Sequence, residues 1–193
     1  MDDIFWKAGY LILLIIWTGI RVYYRKKAVR HQAKESVRPG FESFLVALNF
    51  IGMTFLPLLA VFTPLLDAFA FNIPDPVRFV FLVIFALNIG LFVLAHRDLG
   101  KNWSIILEIK EGHRLVTHGV YKKVRHPMYT HFWIWVIAQG MVLANALVLA
   151  FGIAAWGLLY FLRVPKEEEM LIAEFGDEYR KYMKNTGRVI PKF

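Results

Sequence analysis

The chain has 193 residues, 58% of them hydrophobic and 16% aromatic, with no cysteine and a net charge of +8. A soluble domain is nearer ~45–50% apolar, and one this short has too little interior to hide the excess. Disorder, a collagen-like fibre, a disulfide scaffold, thiol catalysis and cysteine-ligated metal centres are excluded, and the positive excess fits loops beside anionic lipid rather than nucleic-acid binding.

The first apolar segment runs from about Ile4 to Tyr24. It matches the ~20 residues a helix needs to cross hydrocarbon. Lys7 and Arg21 lie near its ends, where long stems can snorkel. It lacks the basic start and small-residue cleavage site of a secretory leader. The second segment, about Phe41 to Leu66, contains Pro57, which predicts a kink. The third, Val77 to Ala95, has Arg78 at its outer edge and Asn88 as its one mid-span amide. From Thr130 to Leu162, 33 residues carry no formal charge. One helix of that length would reach ~50 Å, whereas two full spans and a turn would need about 40 residues. The stretch therefore reads as two short helices in a tight hairpin, turning near Ala144 and Asn145. Lys166 to Phe175 then places Met170, Leu171 and Phe175 on one helical face, with Gly176 to end that helix and Asp177 to cap the next. The fold expected is an all-α integral membrane protein. It has about five transmembrane helices, the last two a short hairpin, and an amphipathic cytosolic C-terminal helical tail.

Loop charges set the expected orientation. Residues 21–38 carry seven Lys or Arg against Glu35, residues 96–127 carry seven against three acids, and residues 67–76 carry Asp67 and Asp75 and no base. Excess Lys and Arg stays cytoplasmic. The N-terminus is then outside, and both long loops and the C-terminus are inside after five spans.

Polar groups gather in two places, both on that inner side. His113 to Tyr129 (HRLVTHGVYKKVRHPMY) holds histidines, tyrosines, Arg125 and a Gly119 turn at a helix entrance with Pro127 at its first position. Such an entrance is either a plain interfacial helix start or a seat for an anionic group on free N–H groups, with Tyr and His able to grip a heterocycle. The second cluster is Arg163 to Glu169 (RVPKEEE). Pro165 predicts that the fifth span ends at Val164, with Glu167, Glu168 and Glu169 complementing the dipole of a new helix. If the helix instead continues through the proline, Arg163 and Glu167 share a face. The histidines His113, His118, His126 and His131 have no zinc-ligand spacing, so no metal is expected. A Rossmann fingerprint, a Walker A loop and a GxSxG elbow are all missing.

Three pieces in order carry a resemblance: His113-Arg-Leu-Val-Thr117 with Gly119-Val-Tyr121; Arg125-His-Pro-Met-Tyr129; and Arg163 with Glu167-Glu168, Leu171, Phe175-Gly176 and Tyr179. Together they resemble the isoprenylcysteine carboxyl methyltransferase family, over about residues 113–182. The resemblance implies S-adenosylmethionine as methyl donor, S-adenosylhomocysteine as product, and a lipophilic, prenylcysteine-like carboxylate as acceptor. It implies donor contacts from His113, Arg114, Leu115, Val116, Tyr121, His126, Pro127, Met128, Tyr129 and Glu167. Arg163 would bind the acceptor carboxylate, with Arg163 and Glu167 as the catalytic pair. Residues 1–100 would be N-terminal transmembrane helices, and residues 101–193 the cofactor-binding and catalytic region. His131 stands where the family usually has Gly. The chain is shorter than eukaryotic members, which suggests a prokaryotic relative in a cell membrane. The alternatives are a phospholipid N-methyltransferase, whose amine acceptor has no use for Arg163, and a sterol-type NADPH reductase, whose 2′-phosphate would want Lys122, Lys123 and Arg125. A non-enzymatic scaffold with basic loops leaves the Arg163/Glu167 and His126/Tyr129 pairs unexplained.

Overall fold

A computed structural model describes residues 3–28, 39–100 and 114–192. It is helical throughout: α1 (Asp3–Ala28), α2 (Pro39–Phe50), a π turn (Ile51–Phe55), α3 (Leu56–Phe62), a 3-10 turn (Pro64–Phe69), α4 (Asp75–Leu99), a second 3-10 turn (Gly119–Lys122), α5 (Pro127–Leu143), α6 (Ala146–Phe175) and α7 (Asp177–Asn185). Among the described residues, four stretches are long and apolar enough to cross a membrane: Asp3–Lys27, Ser43–Phe62, Asp75–Leu99 and Ala146–Phe175. The fifth, α5, has 17 residues, about 25 Å of helix, and forms the short arm of the expected hairpin. Ala144 turns the chain in the left-handed region at φ 48°. Asn145 then caps α6 by accepting from the Val148 amide at 3.1 Å. The arms pack closely because residue 140 is glycine: a Cβ there would lie 2.5 Å from that of Leu149.

The kink expected at Pro57 takes the form of a π turn just before it. The Leu56 amide bonds back five residues to the Ile51 carbonyl. The next amide in that pattern would belong to Pro57, which has none to give. The Gln139 side chain supplies it instead, donating to the Gly52 carbonyl at 3.0 Å. Gln139 is itself held by the indole N–H of Trp135 at 3.0 Å. A buried amide from α5 thus satisfies the carbonyl that the proline orphans, as a bilayer demands.

Pro165 does not end a helix. α6 runs unbroken from Ala146 to Phe175 with Pro165 inside it, so the break at Val164 and the separate start at Lys166 are corrected. Glu167, Glu168 and Glu169 do not sit in a first helical turn and complement no dipole there. The lost hydrogen bond is outweighed by packing on both sides of the proline, where Val164 and Glu168 are buried. At 30 residues, α6 is about 45 Å long, well past a ~30 Å hydrocarbon core. Its last turns, from Arg163 on, therefore stand beyond the apolar stretch. Gly176, at φ 55°, ends α6 as expected. Gly176 also precedes α7, while Asp177 is the first residue of α7 and pairs with Arg180 at 3.1 Å.

Candidate functional site

Three segments meet at one end of the bundle. The 3-10 turn at 119–122 is possible because residue 119 is glycine. Its φ is +58°, and a Cβ there would fall 1.9 Å from an Asp98 carboxylate oxygen. That carboxylate accepts from the Val120 amide at 2.9 Å and ties the turn to the end of α4. The start of α5 follows, with His126 preceding Pro127. The chain beyond α7 returns alongside it. The Arg125 amide donates to the Gly187 carbonyl at 2.8 Å, the His126 amide to the Arg188 carbonyl at 2.9 Å, and the Thr130 hydroxyl to the Val189 carbonyl at 2.7 Å. Tyr182 donates to the Tyr121 carbonyl at 2.5 Å. The C-terminal segment is thereby pinned to the entrance of α5.

Because α6 is continuous, Arg163 and Glu167 lie one turn apart on the face that looks toward α5. Tyr129 donates its hydroxyl to Glu167 Oε2 at 2.7 Å, and His126 Nδ1 stands 3.6 Å from Glu167 Oε1. The other imidazole nitrogen, Nε2, is 3.1 Å from Glu168 Oε1. Glu168, 4% exposed, also accepts from Arg125 through Nε at 3.1 Å and Nη2 at 2.9 Å, and from both Nε and Nη2 of Arg188. Arg125 further donates to the carbonyls of Met183 and Thr186. One carboxylate thus gathers three cationic side chains, two from the linker before α5 and one from the C-terminal segment.

Burial alone would push the His126 imidazole toward its neutral form. The hydrogen bonds and charges of Glu167 and Glu168 outweigh it and hold the pKa above the ordinary 6.5. A folded-state pKa raised this way contributes stability that is full below 6.5 and lost as pH rises through the raised value. Thermal unfolding in detergent should therefore show a Tm that falls as pH rises above 6.5, and His126→Asn should flatten that slope. An unchanged slope in the variant would assign the effect to another group.

A cavity of about 520 Å³ opens beside this network. Of the residues singled out in the sequence, Leu115, Val116, Tyr121, His126, Met128, Tyr129, Arg163 and Glu167 line it. Pro127 is buried as the first residue of α5 and Arg114 is exposed; neither lines the cavity. His113 lies outside the described residues. The sequence carries no signal for the far wall, formed by Trp17, Arg21 and Arg25 of α1 and Asn49 and Met53 of the second span, nor for Tyr182 of α7, which lines the cavity beside Tyr121 with Tyr179. It also leaves the Arg125–Glu168–Arg188 cluster unmarked. A buried acid among surface acids carries no local signal, although the adjacent Glu167-Glu168 pair and the basic tail could have prompted the pairing.

Residues 79–173 match the model of the isoprenylcysteine carboxyl methyltransferase family. A probable protein-S-isoprenylcysteine O-methyltransferase of Oryza sativa subsp. indica is 33% identical over 118 residues, 60% of this chain and 61% of that protein. The protein-S-isoprenylcysteine O-methyltransferase of Schizosaccharomyces pombe is 38% identical over 95 residues, 48% of this chain and 40% of that protein. The chain thus spans less than two thirds of the length of these relatives. Among solved structures, the eukaryotic intramembrane Ras methyltransferase, an isoprenylcysteine carboxyl methyltransferase, superposes with a TM-score of 0.56 at 27% identity, over 80% of this chain and 54% of that one.

Proposed function

We propose that this chain, whose residues 79–173 belong to the isoprenylcysteine carboxyl methyltransferase family, is an integral membrane S-adenosylmethionine-dependent methyltransferase that esterifies the carboxylate of a lipophilic, prenylcysteine-like acid. The observation that carries the reading is the convergence of Tyr129, His126, Arg163 and Glu167 on one cavity. The basic loops support an outside N-terminus and a site at the cytosolic face of the membrane.

The cavity suits the donor in size and chemistry. Its ~520 Å³ falls in the ~300–1,000 Å³ range that takes such ligands. Its wall joins the aromatic faces of Tyr121 and Tyr129 to the acid Glu167, which suits a planar base with a cationic tail. Leu115, Val116, Tyr121, His126, Met128, Tyr129 and Glu167 would hold S-adenosylmethionine, with Arg114 and Pro127 flanking. When bound it supplies a methyl group on a sulfonium, open to in-line attack by a carboxylate oxygen. The acceptor is ionised at neutral pH, with an unperturbed pKa near ~3.5, so no side chain need act as base. Arg163 orients the carboxylate through its planar fork. Glu167, steadied by Tyr129 and His126, holds its place between donor and Arg163. The side chains on this wall hold the two reactants in register, so alignment carries the rate. Residues 101–193 carry the donor side, and the helices of residues 1–100 wall the acceptor side.

The test is methyl transfer by purified protein in detergent or vesicles, with a prenylcysteine acid and phosphatidylethanolamine as separate acceptors. Transfer to the acid, giving a base-labile ester, is expected. Transfer to the amine alone would make the chain a phospholipid N-methyltransferase.

A further inference from the structure

The cavity wall holds more positive charge than the proposed reaction accounts for. Among the described residues its one acid is Glu167, while Arg21, Arg25, Arg125 and Arg163 all line it. Arg125 is neutralised by Glu168. Arg21 and Arg25 have no acidic partner among the described residues. They also sit i, i+4 on one face of α1, where like charges repel each other.

Arg21 is held there by a chain of contacts that begins in α4. The Asn88 carbonyl accepts from Nδ1 of His131 at 3.1 Å, and the Asn88 side-chain amide donates to the His131 carbonyl at 3.0 Å. His131 Nε2 is thereby left as an acceptor, and it takes the indole N–H of Trp17 at 3.1 Å. The fixed indole carries the Arg21 guanidinium over its face, 5.1 Å from the ring centroid. His131 thus anchors a platform that presents a cation to the cavity.

The geometry points to Arg21 as the group that first takes the carboxylate of the lipophilic acceptor, on the side of the cavity formed by α1 and α2. This rests on the methyl-acceptor reading above. The donor-side residues Leu115, Val116, Tyr121 and Tyr182 belong to other elements. Arg21 shares its wall with Thr18, Val22, Val46 and Phe50, apolar company that suits a lipid chain with an anionic end. Binding on a stacked guanidinium leaves the acid desolvated and tethered before Arg163 aligns it, and Trp17 supplies the rigidity that such a contact requires.

The probe is equilibrium binding of N-acetyl-S-farnesylcysteine and of its methyl ester to detergent-solubilised protein, read by calorimetry without turnover. Arg21→Gln should weaken the acid by about 10- to 100-fold, the range of one charge-assisted contact, and leave the ester within about twofold. Trp17→Phe keeps a ring but removes the bond to His131, so it should weaken the acid by a smaller factor and again spare the ester. Equal losses for acid and ester, or no change for either, overturn the assignment. Weaker binding of S-adenosylhomocysteine by Arg21→Gln would move the contact to the donor carboxylate and overturn it too. Wild-type protein that binds the acid but transfers no methyl would sink the proposed reaction and leave the Arg21 result standing. Wild-type protein that fails to bind the acid would overturn both.

Discussion

Replacing Arg163 by alanine should abolish methyl transfer while leaving donor affinity close to wild type. Arg163 lines the cavity one helical turn before Glu167, on the face of α6 that looks toward Tyr129. Its proposed work is to fix a carboxylate in line with the transferring methyl, a contribution of alignment rather than of charge, since the carboxylate loses negative charge as it attacks. Loss of that alignment costs about 10²-fold or more in turnover. Arg163→Lys keeps the charge but loses the fork, and should recover only part of that loss. The donor contacts on Tyr129, His126 and Glu167 remain, so the Kd for S-adenosylhomocysteine should move by less than about threefold. Single-turnover methyl transfer and calorimetry on the same preparation separate the two quantities. A parallel fall in both would make Arg163 a donor residue or a structural one, and the carboxylate role would be lost.

The distinction turns on the continuity of α6, which was also the point the sequence left open. Pro165 is a strong local signal for a helix end, and local signals argued for a break at Val164. The signal that overrides it is non-local: Val164 packs in the core and Glu168 is drawn into a cluster with residues from the linker before α5 and the C-terminal segment. Apolar runs and charged loops announced the spans and the hairpin because lipid burial acts on composition, span by span. Gly119 and Gly176 were legible as turns because backbone conformation is also local. The far wall of the cavity was not. Arg21 reads as a snorkelling arginine, and Trp17 carries no signal of its own, until the fold brings His131 against the indole. His131 shows the same limit, since its partners lie 43 residues away at Asn88 and 114 away at Trp17.

Glu168→Gln should be the most destabilising change at this end of the molecule. The carboxylate is buried among Arg125, His126 and Arg188, and its oxygens take five hydrogen bonds from them. The glutamine amide keeps the size but removes the charge, and its NH₂ group would face guanidinium donors. Breaking a buried ion pair from one side costs about 3–5 kcal/mol because the remaining cations stay desolvated. For a chain of this length that corresponds to a Tm lower by roughly 6–20 °C. Glu169→Gln, one residue on and exposed, is the control and should shift stability by less than about 0.5 kcal/mol. Arg188→Gln should fall between the two, since the Arg188 side chain is 43% exposed and can meet water when unpaired. The same substitution should loosen the segment around Gly187 and Arg188 that backs the His126 amide, so limited proteolysis after Arg180 or Lys184 should accelerate in Glu168→Gln and not in Glu169→Gln. Equal melting temperatures for the two glutamate variants would mean that the three cations do not depend on Glu168, and the cluster would then be a consequence of the fold rather than one of its supports.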